Sequence, residues 1–118
     1  MYTISKDFHF SASHALMFLP NEHQCRKVHG HNYVVSMFFR SATLNDTGFV
    51  IDYLALNPIK EYIKHQLDHQ HLNDILPFNP TSENLAKFLF DMFKPTFPEL
   101  FKVEISETPK TKASYELE

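Results

Sequence analysis

The sequence predicts an α+β domain with its elements in the order strand, strand, helix, helix, strand, strand. Two observations carry that expectation: apolar residues alternate over long stretches near both ends of the chain, and between them they recur at helical spacing. A length of 118 residues, 43% hydrophobic and 21% charged, suits one globular domain. It excludes disordered, collagen-like and coiled-coil chains.

The first strand spans residues 2–14. Tyr2, Ile4, Phe8, Phe10, Ala12 and His14 share one parity, and Thr3, Ser5, Asp7, His9, Ser11 and Ser13 share the other. Such alternation marks a half-buried strand. Residues 16–28 have a Pro-Asn pair and no period, and so form a loop joining antiparallel strands. The second strand runs over about 29–43, with His29, His31, Tyr33, Val35, Met37 and Phe39 on one side. A turn over Asn45–Gly48 precedes a first helix capped either by Asp52 or by Asn57, with Pro58 at its first position in the second case. Ile59, Ile63 and Leu67 form its apolar stripe, which fades at Asp68-His69. Thr81 is the N-cap expected for the second helix, where Leu85, Phe88, Leu89, Met92 and Phe93 recur at helical spacing until Pro95 ends it. A C-terminal hairpin follows, with Phe101, Val103, Ile105 and Glu107 on one face of its first strand and Ala113, Tyr115 and Leu117 alternating in its second.

Composition narrows the function. A formal charge of -3 without a basic stripe argues against nucleic acid as a partner. Two glycines, Gly30 and Gly48, cannot build a Gly-rich phosphate loop. No targeting segment or long apolar run is present, so no membrane partner and a cytoplasmic location are expected. One cysteine, Cys25, forms no internal disulfide and suits a reducing compartment. The anomaly is eight histidines in so short a chain.

Pairing the first two strands antiparallel brings His14 beside His29 and His31 on one face. Three neutral imidazoles with an open fourth position make a catalytic zinc site, although iron or copper would accept the same ligands. The bland alternative is a polar loop at His29-Gly30-His31 and a hydrogen-bonded core His14. Cys25 hangs over this site as a fourth ligand, as a base or nucleophile, or as a small structural hydrophobe. Asp68-His69 is either an oriented proton carrier or a solvated helix end, and the residues alone lean towards the second. Glu107 continues an apolar parity, so it calls for a partner with paired N–H donors unless the strand stops at Ser106. His23, Arg26 and Lys27 are basic groups for a phosphorylated substrate or merely solubilise the loop.

With these residues in view, the chain resembles the 6-pyruvoyltetrahydropterin synthase family, and within it the bacterial 6-carboxy-5,6,7,8-tetrahydropterin synthases of queuosine biosynthesis. The resemblance spans nearly the whole length. It rests on Phe10-Ser11-Ala12-Ser13-His14, Cys25 to Tyr33, Thr47 to Tyr53, Leu67-Asp68-His69, Leu72-Asn73-Asp74, Asn79 to Ala86 and Glu107-Thr108. It implies His14, His29 and His31 as zinc ligands, Cys25 as proton acceptor, Asp68-His69 as proton relay, and Glu107 as anchor of the pterin ring. Thr81 and Ser82 match the segment near the pterin. It further implies the tunnelling fold, a four-stranded antiparallel sheet with two helices on one face, joined into a barrel in a homohexamer of two trimers.

The implied reaction converts 7,8-dihydroneopterin triphosphate to 6-carboxytetrahydropterin, acetaldehyde and triphosphate with one zinc per subunit. The short gap between Cys25 and His29 favours this branch over the animal-type enzymes. Asn57-Pro58 departs from relatives, which usually carry a Lys and an uninterrupted helix there. The alternatives are a 6-pyruvoyl or folate-branch pterin synthase on the same fold, and a non-catalytic zinc- or pterin-binding module, which would need neither Cys25 nor Asp68-His69.

Overall fold

A computed structural model describes residues 1–118. It gives a five-stranded mixed sheet built from β1 (Tyr2–His14), β2 (His29–Ser41), β3 (Gln70–His71), β4 (Leu100–Thr108) and β5 (Thr111–Glu116), in the spatial order β3-β1-β2-β4-β5. Helices α1 (Asn57–Tyr62), α2 (Leu72–Ile75) and α3 (Ser82–Phe93) fill the chain between β2 and β4.

β1 and β2 pair antiparallel without a slip from Tyr2↔Ser41 to His14↔His29. The alternation then settles which side is inward. Phe8, Phe10 and Ala12 of β1 and Tyr33, Val35, Met37 and Phe39 of β2 join one core. Leu85, Leu89 and Phe93 on one face of α3 meet them, because their spacing puts them on a single stripe. Each fully buried aliphatic or aromatic side chain contributes about 1.5–3 kcal/mol.

The chain from Tyr53 to Leu67 is one helical run of changing pitch. Asp52 Oδ1 accepts the Leu54 N–H at 2.9 Å and caps a 3₁₀ turn, Tyr53–Leu56. That turn enters α1 at Asn57, with Pro58 in the first turn where its missing N–H costs nothing. Of the two candidate caps, Asp52 therefore does the capping. The run closes in a π turn, Ile63–Leu67, where the Asp68 N–H bonds to the Ile63 carbonyl at 2.9 Å. Ile59, Ile63 and Leu67 remain buried through the change of pitch.

Two features correct the sequence expectation. The sheet is not four-stranded and antiparallel, and the helices are not two. β3 adds a fifth strand parallel to β1 at Ala12 and Ser13, and α2 is a separate single turn. Two residues carry no period, so β3 is silent in the sequence. It exists because His69 takes a left-handed φ of 60° and donates its N–H to the Ser11 carbonyl at 2.6 Å, swinging the chain back along β1.

The second correction concerns β4. Its register shifts between Phe38 and Phe39, which pair with Lys102 and Leu100 and leave Phe101 as an extra residue. Leu100 thus enters the core, while Phe101 meets Phe38 edge-on, with ring centroids 6.3 Å apart, and lies under the Arg40 guanidinium at 4.6 Å. Leu100→Ala is expected to cost about 2–5 kcal/mol, as for a large-to-small core change. Phe101→Ala should cost clearly less, about 1 kcal/mol. Urea unfolding of both variants checks the bulge, and the reverse order would place it wrongly.

Candidate active site

His14 and His29 face each other as the last matched pair of β1 and β2, and His31 follows on the same face because strand side chains alternate. The ring centroids lie 4.5, 5.1 and 4.9 Å apart for the 14–29, 14–31 and 29–31 pairs. One nitrogen from each ring falls within 4.8 Å of the others. His14 is wholly buried and the other two half-buried.

Backbone carbonyls fix the tautomers. His14 Nδ1 sits 2.9 Å from the Pro80 carbonyl oxygen, and His29 Nδ1 sits 2.7 Å from that of Lys27. A carbonyl only accepts, so both Nδ1 atoms carry the proton. The two Nε2 atoms, left with their lone pairs, face each other at 2.9 Å. Like acceptors so close repel unless a cation joins them. His31 Nε2 is also buried without a hydrogen-bond partner: Glu107 Oε2 lies 3.2 Å away, within ion-pair reach but off the hydrogen-bonding direction. Three inward imidazole nitrogens, two oriented by outer carbonyls and one orphaned, fit a divalent metal ion. Burial holds the His14 pKa below its usual value, a shift opposed by the Pro80 bond and the Glu107 charge. The neutral, ligating form is thereby favoured. Burial and Glu107 likewise raise the Tyr33 pKa, keeping its hydroxyl, 3.2 Å from His14 Nδ1, protonated.

Glu107 lies inside β4, which continues to Thr108, so the early strand end considered above does not occur. Its Oε1 accepts the Ser82 hydroxyl at 2.5 Å. Thr81 Oγ1 accepts the Asn84 N–H at 3.1 Å and starts α3, which sets Ser82 in the first turn against β4. Beside them opens a recess of 250 Å³ bordered by Ser82, Glu107 and Lys112. Glu107 therefore links the histidine cluster to a polar hollow with one oxygen turned each way.

Asp68 and His69 stand on the far edge of β1. Asp68 Oδ1 accepts the Ser11 N–H at 2.9 Å, and Oδ2 lies 3.5 Å from His69 Nε2. The His69 ring is 83% exposed but its backbone is pinned, so the pair is no frayed helix end. A cleft of 460 Å³ has both His31 and His69 in its wall. Cys25 is half-buried on a 3₁₀ turn, Gln24–Arg26. Its carbonyl accepts the Leu16 N–H at 2.8 Å and its own N–H donates to His23 Nδ1 at 3.1 Å. The close set of ligand atoms holds the three histidines and not Cys25, so the cysteine is no fourth ligand of this cluster. Arg26 donates to the Leu19 carbonyl at 3.0 Å, which engages it within the loop.

The sequence missed the orienting carbonyls of Lys27 and Pro80, which leave no side-chain signal. It also missed Tyr33, whose parity with His29 and His31 was visible, and the 2.9 Å pair of Ser13 Oγ and His71 Nδ1.

Comparison with known proteins fits this arrangement. The sequence pattern of the family described as "6-pyruvoyl tetrahydropterin synthase" matches residues 3–118. A 6-carboxy-5,6,7,8-tetrahydropterin synthase of Synechocystis is 35% identical over 98% of this chain and 93% of its own length. One from Bacillus subtilis is 32% identical over 97% of this chain and 84% of its own. The solved structure of Caenorhabditis elegans 6-pyruvoyl tetrahydropterin synthase superposes with a TM-score of 0.86 at 29% identity, covering 99% of this chain and 96% of that one. The histidine cluster thus sits in a chain that belongs, over nearly its full length, to the 6-pyruvoyl tetrahydropterin synthase family.

Proposed function

We propose that the protein is a zinc-dependent 6-carboxy-5,6,7,8-tetrahydropterin synthase of queuosine biosynthesis. It would turn 7,8-dihydroneopterin triphosphate and water into 6-carboxytetrahydropterin, acetaldehyde and triphosphate. The observation that carries the proposal is the inward histidine triad with Glu107 and Ser82 beside it. The names of the Synechocystis and B. subtilis relatives supply the branch.

His14, His29 and His31 would hold the zinc, which as a Lewis acid makes the side-chain hydroxyls of the substrate more acidic. Cys25, carried by the loop that precedes His29, is assigned the removal of a side-chain proton as its thiolate. His69, backed by the Asp68 carboxylate, is assigned proton return. Glu107 is assigned the pterin ring, whose 2-amino and N3 groups offer two parallel donors to its carboxylate. Ser82 already donates to one of those oxygens and holds the carboxylate in place, while Thr81 contributes by starting α3. The proposal includes a cytoplasmic homohexamer of two trimers. The sheet supports assembly, because β5 ends it and most of β1 beyond the two residues of β3 has no neighbour on its outer side.

Zinc-loaded protein incubated with 7,8-dihydroneopterin triphosphate is expected to yield 6-carboxytetrahydropterin by mass spectrometry and trapped acetaldehyde in equal amount. A pyruvoyl product would move the protein to the sister reaction on the same site. Unchanged substrate with bound pterin would make it a binding module. Cys25→Ala should lower kcat by about 10²–10⁴ while zinc content stays the same, as for loss of a general base.

His31→Ala, which removes a direct ligand, should weaken zinc binding by more than the roughly 10–100-fold that loss of an outer partner costs, as read in chelator competition. In chelator-stripped protein, the lowered His14 pKa makes the unfolded chain take up a proton before the folded one does. Stability should therefore fall as pH drops below about 6.5, and saturating zinc should oppose that fall near neutral pH. Thermal melts with and without zinc check the sign.

A further inference from the structure

Asn73 and Asn79 have no role in the chemistry above, yet both side chains grip the main chain that leaves β1 at the histidine cluster. Asn73 Oδ1 accepts the Ala15 N–H at 2.8 Å, and its Nδ2 donates to the Ala15 carbonyl at 2.8 Å. Two residues on, Asn79 Oδ1 accepts the Met17 N–H at 3.1 Å, and its Nδ2 reaches the Met17 carbonyl at 3.5 Å. A primary amide carries an acceptor and a donor side by side, so it can stand in for the neighbouring strand of a ladder. Between the two grips, Leu16 turns its N–H the other way and donates to the Cys25 carbonyl at 2.8 Å. Residues 15–17 thus form a short rail, held along one edge by two asparagines and carrying Cys25 on the other.

The other hydrogen bonds of residues 16–28 tie the loop only to itself or to the flanking His29. They join Arg26 to Leu19, Cys25 to His23, Lys27 to His29, and turn residues within 20–27 to one another. The two asparagines are themselves fixed. Asn73 stands on α2, whose Leu72 is fully buried. The Asn79 carbonyl accepts both the Thr81 N–H and Asn84 Nδ2 at 2.8 Å, which ties it to the start of α3. The next residue, Pro80, supplies the carbonyl that orients His14. One segment therefore sets a metal-site histidine through its main chain and the cysteine loop through a side chain.

Resting on the pterin reading above, we infer that Asn73 and Asn79 are positioning residues that hold the Cys25 loop in register with the histidine cluster. They act through residues 15–17 and not on the substrate. A general base must lie within hydrogen-bond reach of the proton it takes, and a displacement of about 1 Å can cost about 100-fold in rate. A loop otherwise bonded only to itself and its own flank would not keep a thiol to that tolerance.

The test compares Asn79→Ala and Asn73→Asp with a control, Asn45→Ala, which strips similar bonds to Thr47 and Phe49 from a turn beyond the far end of the β1–β2 ladder. The Asn79 bonds lie at the surface, so Asn79→Ala leaves the core untouched. Asn73→Asp keeps the acceptor for the Ala15 N–H and sets an oxygen against the Ala15 carbonyl. Each clamp variant should lose roughly 10–100-fold in kcat, with KM for 7,8-dihydroneopterin triphosphate and zinc per chain within about twofold of wild type. Below the melting transition, iodoacetamide should alkylate Cys25 about threefold faster or more, because the freed loop opens locally. Asn45→Ala should change none of these. If alkylation and turnover stay within about twofold of wild type in a clamp variant, that asparagine has no such role. A kcat loss that only tracks lost zinc, or an equal effect of Asn45→Ala, overturns the clamp as well, and each of these results leaves the synthase reading intact. A wild-type protein that makes no product overturns the synthase reading, and the alkylation rates then decide the clamp without substrate.

Discussion

The pairing of β1 with β2 is the constraint on which the rest depends. Its thirteen matched positions run from Tyr2↔Ser41 to His14↔His29 with no bulge, and the side-chain period of a strand is two. A slip of β1 by one residue would turn Phe8, Phe10 and Ala12 to the outer face and carry His14 away from His29. The core and the metal-binding cluster are therefore one choice of register, made once. Apolar burial along most of the ladder holds three imidazoles at its end in a cluster they would not adopt by themselves.

That arrangement sets a local conflict. His14 is wholly buried, and two nitrogen lone pairs point at each other across the strand pair. Burying polar groups is unfavourable unless each finds a partner. Carbonyls of Lys27 and Pro80 satisfy the outer nitrogens, Glu107 brings negative charge to the third ring, and the inner nitrogens are left for a cation. Glu107 belongs to the same balance, since Ser82 takes one of its oxygens and His31 approaches the other. Helix α3 enters through Pro80, Thr81 and Ser82, so the cap that starts the helix also supports the site.

Much of this was legible in the sequence. Long alternations locate β1 and β2, and the spacing of Leu85 to Phe93 locates α3, because elements of that length repeat their pattern several times. The histidine triad follows from strand parity and one antiparallel pairing. The illegible features are short or made of backbone. β3 has two residues, the extra residue at Phe101 shows only once β2 is laid beside β4, and the carbonyls over His14 and His29 have no side-chain signature. Asp68-His69 read as a solvated end because its anchor, the Ser11 N–H and carbonyl, lies 57 residues away in sequence for the Asp68 bond. The single acid whose parity looked wrong, Glu107, does lie inside β4, with Ser82 and His31 against its two oxygens.

The π turn from Ile63 to Leu67 acts as a phase adjuster. A wide turn holds more residues per revolution than an α-turn, so it delays the direction in which the following chain leaves the helix. Removing one residue there would restore α pitch and rotate the exit by about 100°. The Asp68 carboxylate would then leave the Ser11 N–H, and β3 would lose its place beside β1. The helix keeps Ile59, Ile63 and Leu67 inward on one side of that adjustment and delivers Asp68 and His69 to the cleft on the other. One residue of surplus length thus reconciles a hydrophobic stripe with a polar destination, so a deletion here would disturb both at once.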